Sequence, residues 1–177
     1  MLALGIIETW HTESVSEAQS ELKGFQCIRS DRDSRKGGGC ALYLHSKVVP
    51  SHQISFSDNS NNMVAVYVES LHTIFAVVYR PPDSPDSDFS NCMDKLQEMI
   101  NDHSKDDRHS DVYVIGDFNM PVFNWEESAV STNPPNGAYQ RLMTFLEVNF
   151  LTQVVKEPTR GPNILDLILT SKSQRES

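Results

Sequence analysis

An acid and an amide, two residues apart, close an apolar β-branched run in this chain: Val112-Tyr113-Val114-Ile115-Gly116-Asp117-Phe118-Asn119. A run of this kind reads as a buried strand, and the glycine lets the backbone leave the sheet tightly. Alternate side chains of extended chain share a face, so Asp117 and Asn119 point into the same space. A carboxylate beside an amide at a strand end suits a hard cation, a water or a phosphate. Two other strand-like runs end in the same manner: Glu8 follows Leu2 to Ile7, and Tyr79 closes Ile74 to Val78. Asp166 differs, because it lies inside the apolar run Ile164 to Leu169. A buried carboxylate is costly unless it is paired, hydrogen-bonded or metal-bound.

Those groups together suit phosphodiester hydrolysis. Mg²⁺ prefers oxygen ligands, keeps several waters and needs only one or two protein carboxylates. Glu8 is the candidate metal ligand. Asp117 can orient or deprotonate the attacking water, Asn119 can hold the nucleophile or donate to a phosphate oxygen, and Tyr79 can donate to developing charge. Each alone has an ordinary structural reading as a strand-end polar residue; their joint placement is what points to a site.

Elements must deliver these side chains. The pattern predicts strands at Leu2–Ile7, Phe25–Ile28, Cys40–Leu44, Met63–Glu69, Thr73–Tyr79, Val112–Ile115, Leu151–Val155 and Ile164–Leu169. Met63–Glu69 and Thr73–Tyr79 form a hairpin turning near Ser70 to His72. A short helix is expected over Ser14–Leu22, closed by Gly24. A longer helix carries the stripe Phe89, Cys92, Met93, Leu96, Met99 and Ile100, and a further one spans Gly137–Asn149. Met120 to Pro135 reads as a loop holding Trp125. Many strands, few helices and hairpins predict an α/β (α+β) sandwich rather than a doubly wound sheet.

The 177 residues suffice for one domain, and 38% hydrophobic with 22% charged residues is ordinary for a soluble globular chain. No apolar run is long enough to span a bilayer, and Met1 to Ile7 lacks the flanks of a signal peptide. An intracellular setting, nuclear or cytoplasmic, follows, and the three cysteines Cys27, Cys40 and Cys92 fit free thiols there. The net charge of −9 argues against general affinity for polyanions, although a cation bound among carboxylates reverses the local field. The one basic cluster is Arg29, Arg32, Arg35 and Lys36. Arg35, Lys36, Arg80 and Arg160 are candidate phosphate contacts, with solvated loop residues as the alternative. Trp10 and Trp125 read as core or wall residues rather than base-stacking platforms.

Glu8-Thr9-Trp10, Tyr79-Arg80-Pro81-Pro82, Gly116-Asp117-Phe118-Asn119 and Leu165-Asp166-Leu167-Ile168-Leu169 together resemble the endonuclease/exonuclease/phosphatase superfamily. Arg35-Lys36-Gly37-Gly38-Gly39, Glu157-Pro158-Thr159-Arg160 and Trp125 resemble in particular the apurinic/apyrimidinic-like endonuclease domain of LINE-type (non-LTR) retrotransposons. The resemblance implies a four-layered sandwich of two mixed sheets flanked by helices, hydrolysis assisted by Mg²⁺ or Mn²⁺, DNA as the partner, and no membrane or small-molecule cofactor. It implies Glu8 as metal ligand, Tyr79 at the phosphate, Asp117 and Asn119 at the nucleophile, and Asp166 as the residue that orients a catalytic histidine. It also implies a reverse transcriptase elsewhere in the parent polyprotein. The superfamily's opening Asn-bearing strand and closing Ser-Asp-His segment have no counterpart here, so one domain over residues 1–177, cropped at both ends, is expected. The alternatives are a truncated, inactive domain that keeps the fold with weak nucleic-acid or protein binding, and a superfamily member acting on a lipid or inositol phosphate.

Overall fold

The structure, a computed structural model, describes all residues except 13, 32–36, 58–61, 105–109, 122, 126–128, 131–136 and 173–177. Strands β1 (Ala3–Ile7), β2 (Phe25–Ser30) and β3 (Cys40–His45) form one sheet in the order β1-β3-β2. Strands β4 (His52–Ser57), β5 (Asn62–Val68), β6 (Thr73–Tyr79), β7 (Asp111–Asp117), β10 (Thr152–Gln153) and β11 (Asp166–Thr170) form a second, in the order β10-β11-β7-β6-β5-β4. Two short strands, β8 (Phe123–Asn124) and β9 (Ala129–Val130), make a small ribbon within the loop expected after Met120. Helix α1 (Asp86–His103) crosses from β6 to β7, the one parallel pair of the large sheet, and α2 (Gly137–Val148) follows β7. A parallel pair needs such a crossover, whereas β5 and β6 are joined by a single 3₁₀ turn, Glu69–Leu71, as the predicted hairpin requires.

The period-two pattern of the strands divides the core into two layers. Val64, Val66, Val77 and Tyr79 face the small sheet, where they meet Cys40, Leu42 and Leu44. Met63, Ala65, Ile74, Ala76, Val112, Val114, Leu167 and Leu169 face the helices and meet the predicted stripe of α1 together with Leu142, Phe145 and Leu146 of α2. The result is an α/β sandwich of two sheets with both helices on the far face of the larger one. Only the larger sheet is mixed. The smaller is antiparallel throughout, because β3 pairs antiparallel with both of its neighbours. Among the described residues its outer face carries one 3₁₀ turn, Glu17–Gln19, reached by the Tyr43 hydroxyl donating to the Ser20 carbonyl at 2.8 Å.

Besides the β8–β9 ribbon, two elements depart from the sequence reading. The helix expected over Ser14–Leu22 shrinks to that 3₁₀ turn, since an isolated helix this short, with little apolar surface to bury, does not sustain itself. Strand β4 was not anticipated. It is an edge strand whose His52, Ile54 and Phe56 are half-buried while Gln53, Ser55 and Ser57 face solvent, and that alternation was the available signal.

Candidate active site

The large sheet sets three of the expected site residues in one line. Asp117 is the strand partner of Tyr79 on one side and of Asp166 on the other, and Tyr79 is in turn the partner of Asn62. Laterally paired residues share a face, and Tyr79 lies in the layer between the sheets. The Asn62–Tyr79–Asp117–Asp166 row therefore faces the small sheet. Gly116 makes the row possible: its φ is +152°, and a Cβ there would lie 1.8 Å from the Val78 carbonyl oxygen. Burial pushes the Asp117 carboxyl above its ordinary value, and the negative charge of Asp166 adds to the push. Its hydrogen bonds with Asn119 and the charge of Arg160 pull the other way.

Asn119 is buried, with a left-handed φ of 47°. Its backbone N–H donates to Asp117 Oδ1 at 2.8 Å, and its Nδ2 donates to the Arg80 carbonyl at 2.8 Å. Asn119 thus turns back on the carboxylate and fixes it, as short polar side chains do in left-handed turns. Arg80 is 5% exposed, which excludes the open phosphate contact expected of it. Its Nη1 donates to the carbonyls of Phe118 and Asn119 at 3.5 and 3.3 Å, and its Nη2 to the Ser84 carbonyl at 3.2 Å. The guanidinium also lies over the Phe89 ring, 5.7 Å from its centroid. Burial lowers its pKa from the ordinary value, opposed by Asp86. Arg80 is a clamp on the Asp117–Asn119 turn. The sequence signal for this is its place directly after β6, beside the exit of β7.

Glu8 reaches the same end of the molecule by another route. β1 packs over β6 and β7, so close that a Cβ on Gly5 would meet Ile115 and Val77. Beyond β1, Glu8 and Trp10 both adopt left-handed φ, 53° and 55°. For residues other than glycine this costs on the order of 1 kcal/mol or more each, and such strain clusters at functional sites. Glu8 Oε2 accepts hydrogen bonds from the Gly38 N–H at 2.8 Å and from Trp10 Nε1 at 2.7 Å. Gly39 N–H in turn donates to Asn62 Oδ1 at 3.1 Å. A continuous path thus runs from the Glu8 carboxylate through Gly38, Gly39 and Asn62 to the Tyr79–Asp117–Asp166 row. Asn62, fully buried and also donating to Ser57 Oγ at 3.1 Å, is the latch between the sheets. Sequence reasoning missed it; an Asn at the opening of an apolar strand was the only signal.

The remaining candidates divide. Arg160 is exposed and close enough to Asp117 to act on its charge. Its loop is held by Thr159, whose hydroxyl accepts the N–H groups of Leu165 and Asp166 at 3.0 and 3.1 Å. Arg29 pairs with Asp31 at 3.1 Å and donates to the Val15 carbonyl at 2.6 Å, a structural use. Arg32, Arg35 and Lys36 lie outside the described residues. The strand holding Asp166 is less enclosed than expected, since its face-mate Ile168 is 41% exposed where the small sheet ends. Trp125 packs against the core as anticipated. Trp10 does not: it is 58% exposed.

Among the described residues, no three His, Cys, Asp or Glu side chains stand close enough to enclose a metal. A largely hydrated Mg²⁺ does not need such a cage. One carboxylate at Glu8, with the Asp117 and Asp166 carboxylates paired across the large sheet, is a donor set that fits a hard divalent cation and would not fit zinc.

The sequence model of the family described as Endonuclease-reverse transcriptase matches residues 73–177. No curated protein sequence matches the chain. Among solved structures, it is similar to the 3′ phosphatase NExo from Neisseria bound to product DNA hairpin, at 18% identity and TM-score 0.64, over 97% of this chain and 76% of that one. An AP endonuclease from Archaeoglobus fulgidus is similar at 15% identity and TM-score 0.58, over 96% and 76%. The endonuclease domain of TRAS1, a telomere-specific non-LTR retrotransposon, is similar at 15% identity and TM-score 0.53, over 86% and 69%. At these identities the likeness establishes the fold, that of the endonuclease/exonuclease/phosphatase superfamily.

Proposed function

We propose that this chain, which belongs to the Endonuclease-reverse transcriptase family, is a metal-dependent phosphodiesterase domain that nicks DNA in the manner of a retrotransposon endonuclease. The observation that carries the reading is the register of the large sheet, which makes Asp117 the direct neighbour of both Tyr79 and Asp166. A Neisseria neighbour with bound DNA and a retrotransposon endonuclease domain support DNA as substrate.

Glu8 would hold Mg²⁺ or Mn²⁺, which would offset the negative charge building on the phosphate oxygens. Asp117, raised above its ordinary value by burial and held by Asn119, orients the attacking water and accepts its proton. The Tyr79 hydroxyl donates to the phosphate. Asp166 keeps a second negative charge beside Asp117. Arg160, on the exposed loop, meets the nucleic-acid backbone.

Supercoiled plasmid nicking in Mg²⁺ tests this. Glu8→Ala or Asp117→Ala is expected to reduce nicking about a hundredfold or more; unchanged nicking in both variants rejects the site. One observation favours a second reading, a fold retained without turnover. His52, His72 and His103 gather around Tyr67, near the opposite end of β5 from Asn62, so none of them stands on the acidic row. The same assay separates the two: no nicking by the unaltered chain favours the second.

A further inference from the structure

The buried amide of Asn62 has two ends with different partners. Its Nδ2 donates to Ser57 Oγ at 3.1 Å, across its own hairpin, and to Ser30 Oγ at 3.4 Å, at the end of β2. Ser30 Oγ in turn donates to the Phe56 carbonyl at 2.7 Å. At the other end, Oδ1 accepts the Gly39 N–H at 3.1 Å. A backbone N–H can only donate, so the amide oxygen must be the atom that faces Gly39. Gly39 closes a run of three glycines, all at positive φ, and glycine is the residue with the most backbone freedom. The neighbouring Gly38 N–H donates to Glu8 Oε2 at 2.8 Å. Two consecutive backbone N–H groups therefore hold Glu8 on one side and Asn62 on the other. The Gly38 and Gly39 carbonyls turn back to the N–H groups of Trp10 and Thr9, on the loop of Glu8 itself. Among the described residues, Asn62 Oδ1 is the hydrogen-bonded tie from this run to the large sheet.

We propose that Asn62 is a positioning residue for the metal site. Its Oδ1 fixes the Gly38–Gly39 segment, and with it the Glu8 carboxylate, relative to the Tyr79–Asp117 row. Ion binding at Glu8 and the Asn62–Gly39 bond between the sheets then reinforce each other. This rests on the reading of Glu8 as the ligand of a divalent cation. Three features suit the role. Asn62 is the strand partner of Tyr79, whose other partner is Asp117, so its own place is set by the register of the large sheet. Its buried amide uses both its oxygen and its nitrogen, and a satisfied buried network favours one arrangement. Groups that orient a metal ligand from behind typically change metal affinity about 10- to 100-fold. Such coupling is reciprocal: whatever the Asn62–Gly39 bond adds to ion affinity, the ion adds to the stability of that bond.

Two measurements on the full chain, without nucleic acid, test this. Calorimetric titration with Mn²⁺ should show Asn62→Ala binding about tenfold more weakly than the unaltered chain. Ser57→Ala removes a partner of Nδ2 and leaves Oδ1 on Gly39; it should lose stability yet bind Mn²⁺ within about twofold of the unaltered chain. Amide hydrogen exchange supplies the reciprocal readout and needs no Asn62 variant. Saturating Mg²⁺ should slow exchange of the Gly39 N–H about tenfold in the unaltered chain, and not in Glu8→Ala. If circular dichroism shows Asn62→Ala unfolded, the exchange measurement alone decides. The proposal is overturned by equal Mn²⁺ affinity in folded Asn62→Ala and the unaltered chain, or by Gly39 exchange indifferent to Mg²⁺. It is also overturned if Ser57→Ala weakens Mn²⁺ as much as Asn62→Ala, since general loosening would then suffice, or if the unaltered chain binds no Mn²⁺. Plasmid nicking with Mn²⁺ affinity unchanged in Asn62→Ala removes this inference and leaves the proposed function intact; coupling without nicking does the reverse.

Discussion

The two halves of the site are built by opposite means. Tyr79, Asp117 and Asp166 stand on paired strands, and their positions follow from register alone. Glu8 and Trp10 stand on a loop whose backbone is left-handed at both residues and which leans on three glycines, Gly37, Gly38 and Gly39, all at positive φ. The strand half is stiff because moving one residue moves a ladder of hydrogen bonds. Among the described residues, the loop half is held by hydrogen bonds to one carboxylate and to the carbonyls of Gly38 and Gly39. Damage to the first should therefore appear as lost stability, and damage to the second as lost metal binding with the fold intact.

The largest effect is expected at Gly116→Ala. The new Cβ would lie 1.8 Å from the Val78 carbonyl oxygen, an atom of the neighbouring strand that cannot yield without parting β6 from β7. A loss of more than about 4 kcal/mol is expected, a large part of the stability of a typical domain. Urea denaturation checks it; a midpoint near that of the unaltered chain would show the strand half to be softer than its register implies. Arg80→Ala comes next. It leaves the Phe118 and Asn119 carbonyls without their shared donor and opens a space over Phe89. A loss of about 3 kcal/mol is expected, together with a fall in kcat at unchanged KM, because the turn that fixes Asp117 is loosened. Lysine at the same position should restore part of the stability and little of kcat, since it carries no fork to bridge two carbonyls.

The loop half gives smaller and different effects. Gly39→Ala meets Thr9 Oγ1 at 2.5 Å, a side-chain atom able to rotate away, whereas Gly37→Ala meets only ordinary contacts, with Glu8 Oε2 at 3.6 Å. Both positions carry φ above +80°, so each should lose about 1 kcal/mol of stability. Both disturb the segment that orients Glu8. Mn²⁺ affinity, read by calorimetry, should fall about tenfold in each, as when an outer partner of a ligand is altered. Equal metal affinity in both variants and the unaltered chain would remove Glu8 from the metal site.

The same contrast explains what could be read before the structure was known. The strand half was legible because period-two alternation and an apolar run ending in Gly-Asp announce both the strand and its exit; β6, β7 and α1 all fall where the pattern predicts. Register across the sheet is not written in any one strand, so Asn62 stayed hidden until its pairing with Tyr79 placed it. The loop half was legible only as residue types. Nothing local in Glu8-Thr9-Trp10 signals left-handed backbone, and a tryptophan near an apolar run reads as core by composition. Arg80 erred the other way: a loop arginine beside prolines reads as exposed, but the carbonyls of the Asp117–Asn119 turn gave it a buried partner set.

The smallest expected effect is the sharpest probe of the strand half, because it asks whether the acidic row works against the fold. The Asp117 carboxyl sits above its ordinary value of 3.8, chiefly through burial and secondarily through Asp166. Between that ordinary value and the raised native one, the folded chain binds a proton that the unfolded chain has released. Stability must then fall as pH rises through this window, and above it the ionised Asp117 is a standing cost. Asp117→Asn has no such ionisation, and its Oδ1 can still accept the Asn119 N–H. The variant should melt at higher temperature than the unaltered chain at about pH 8, the gain being at most about 1 kcal/mol because the group is only half-buried. The difference should vanish as pH falls below the ordinary carboxylate value, while nicking is lost at every pH. Arg160→Ala should act in the opposite sense at about pH 8, lowering the melting temperature slightly, since its charge is one of the influences that favour the ionised carboxyl. A pH-independent gap between Asp117→Asn and the unaltered chain would mean that Asp117 keeps ordinary carboxylate behaviour, and the case for it as the base would rest on position alone.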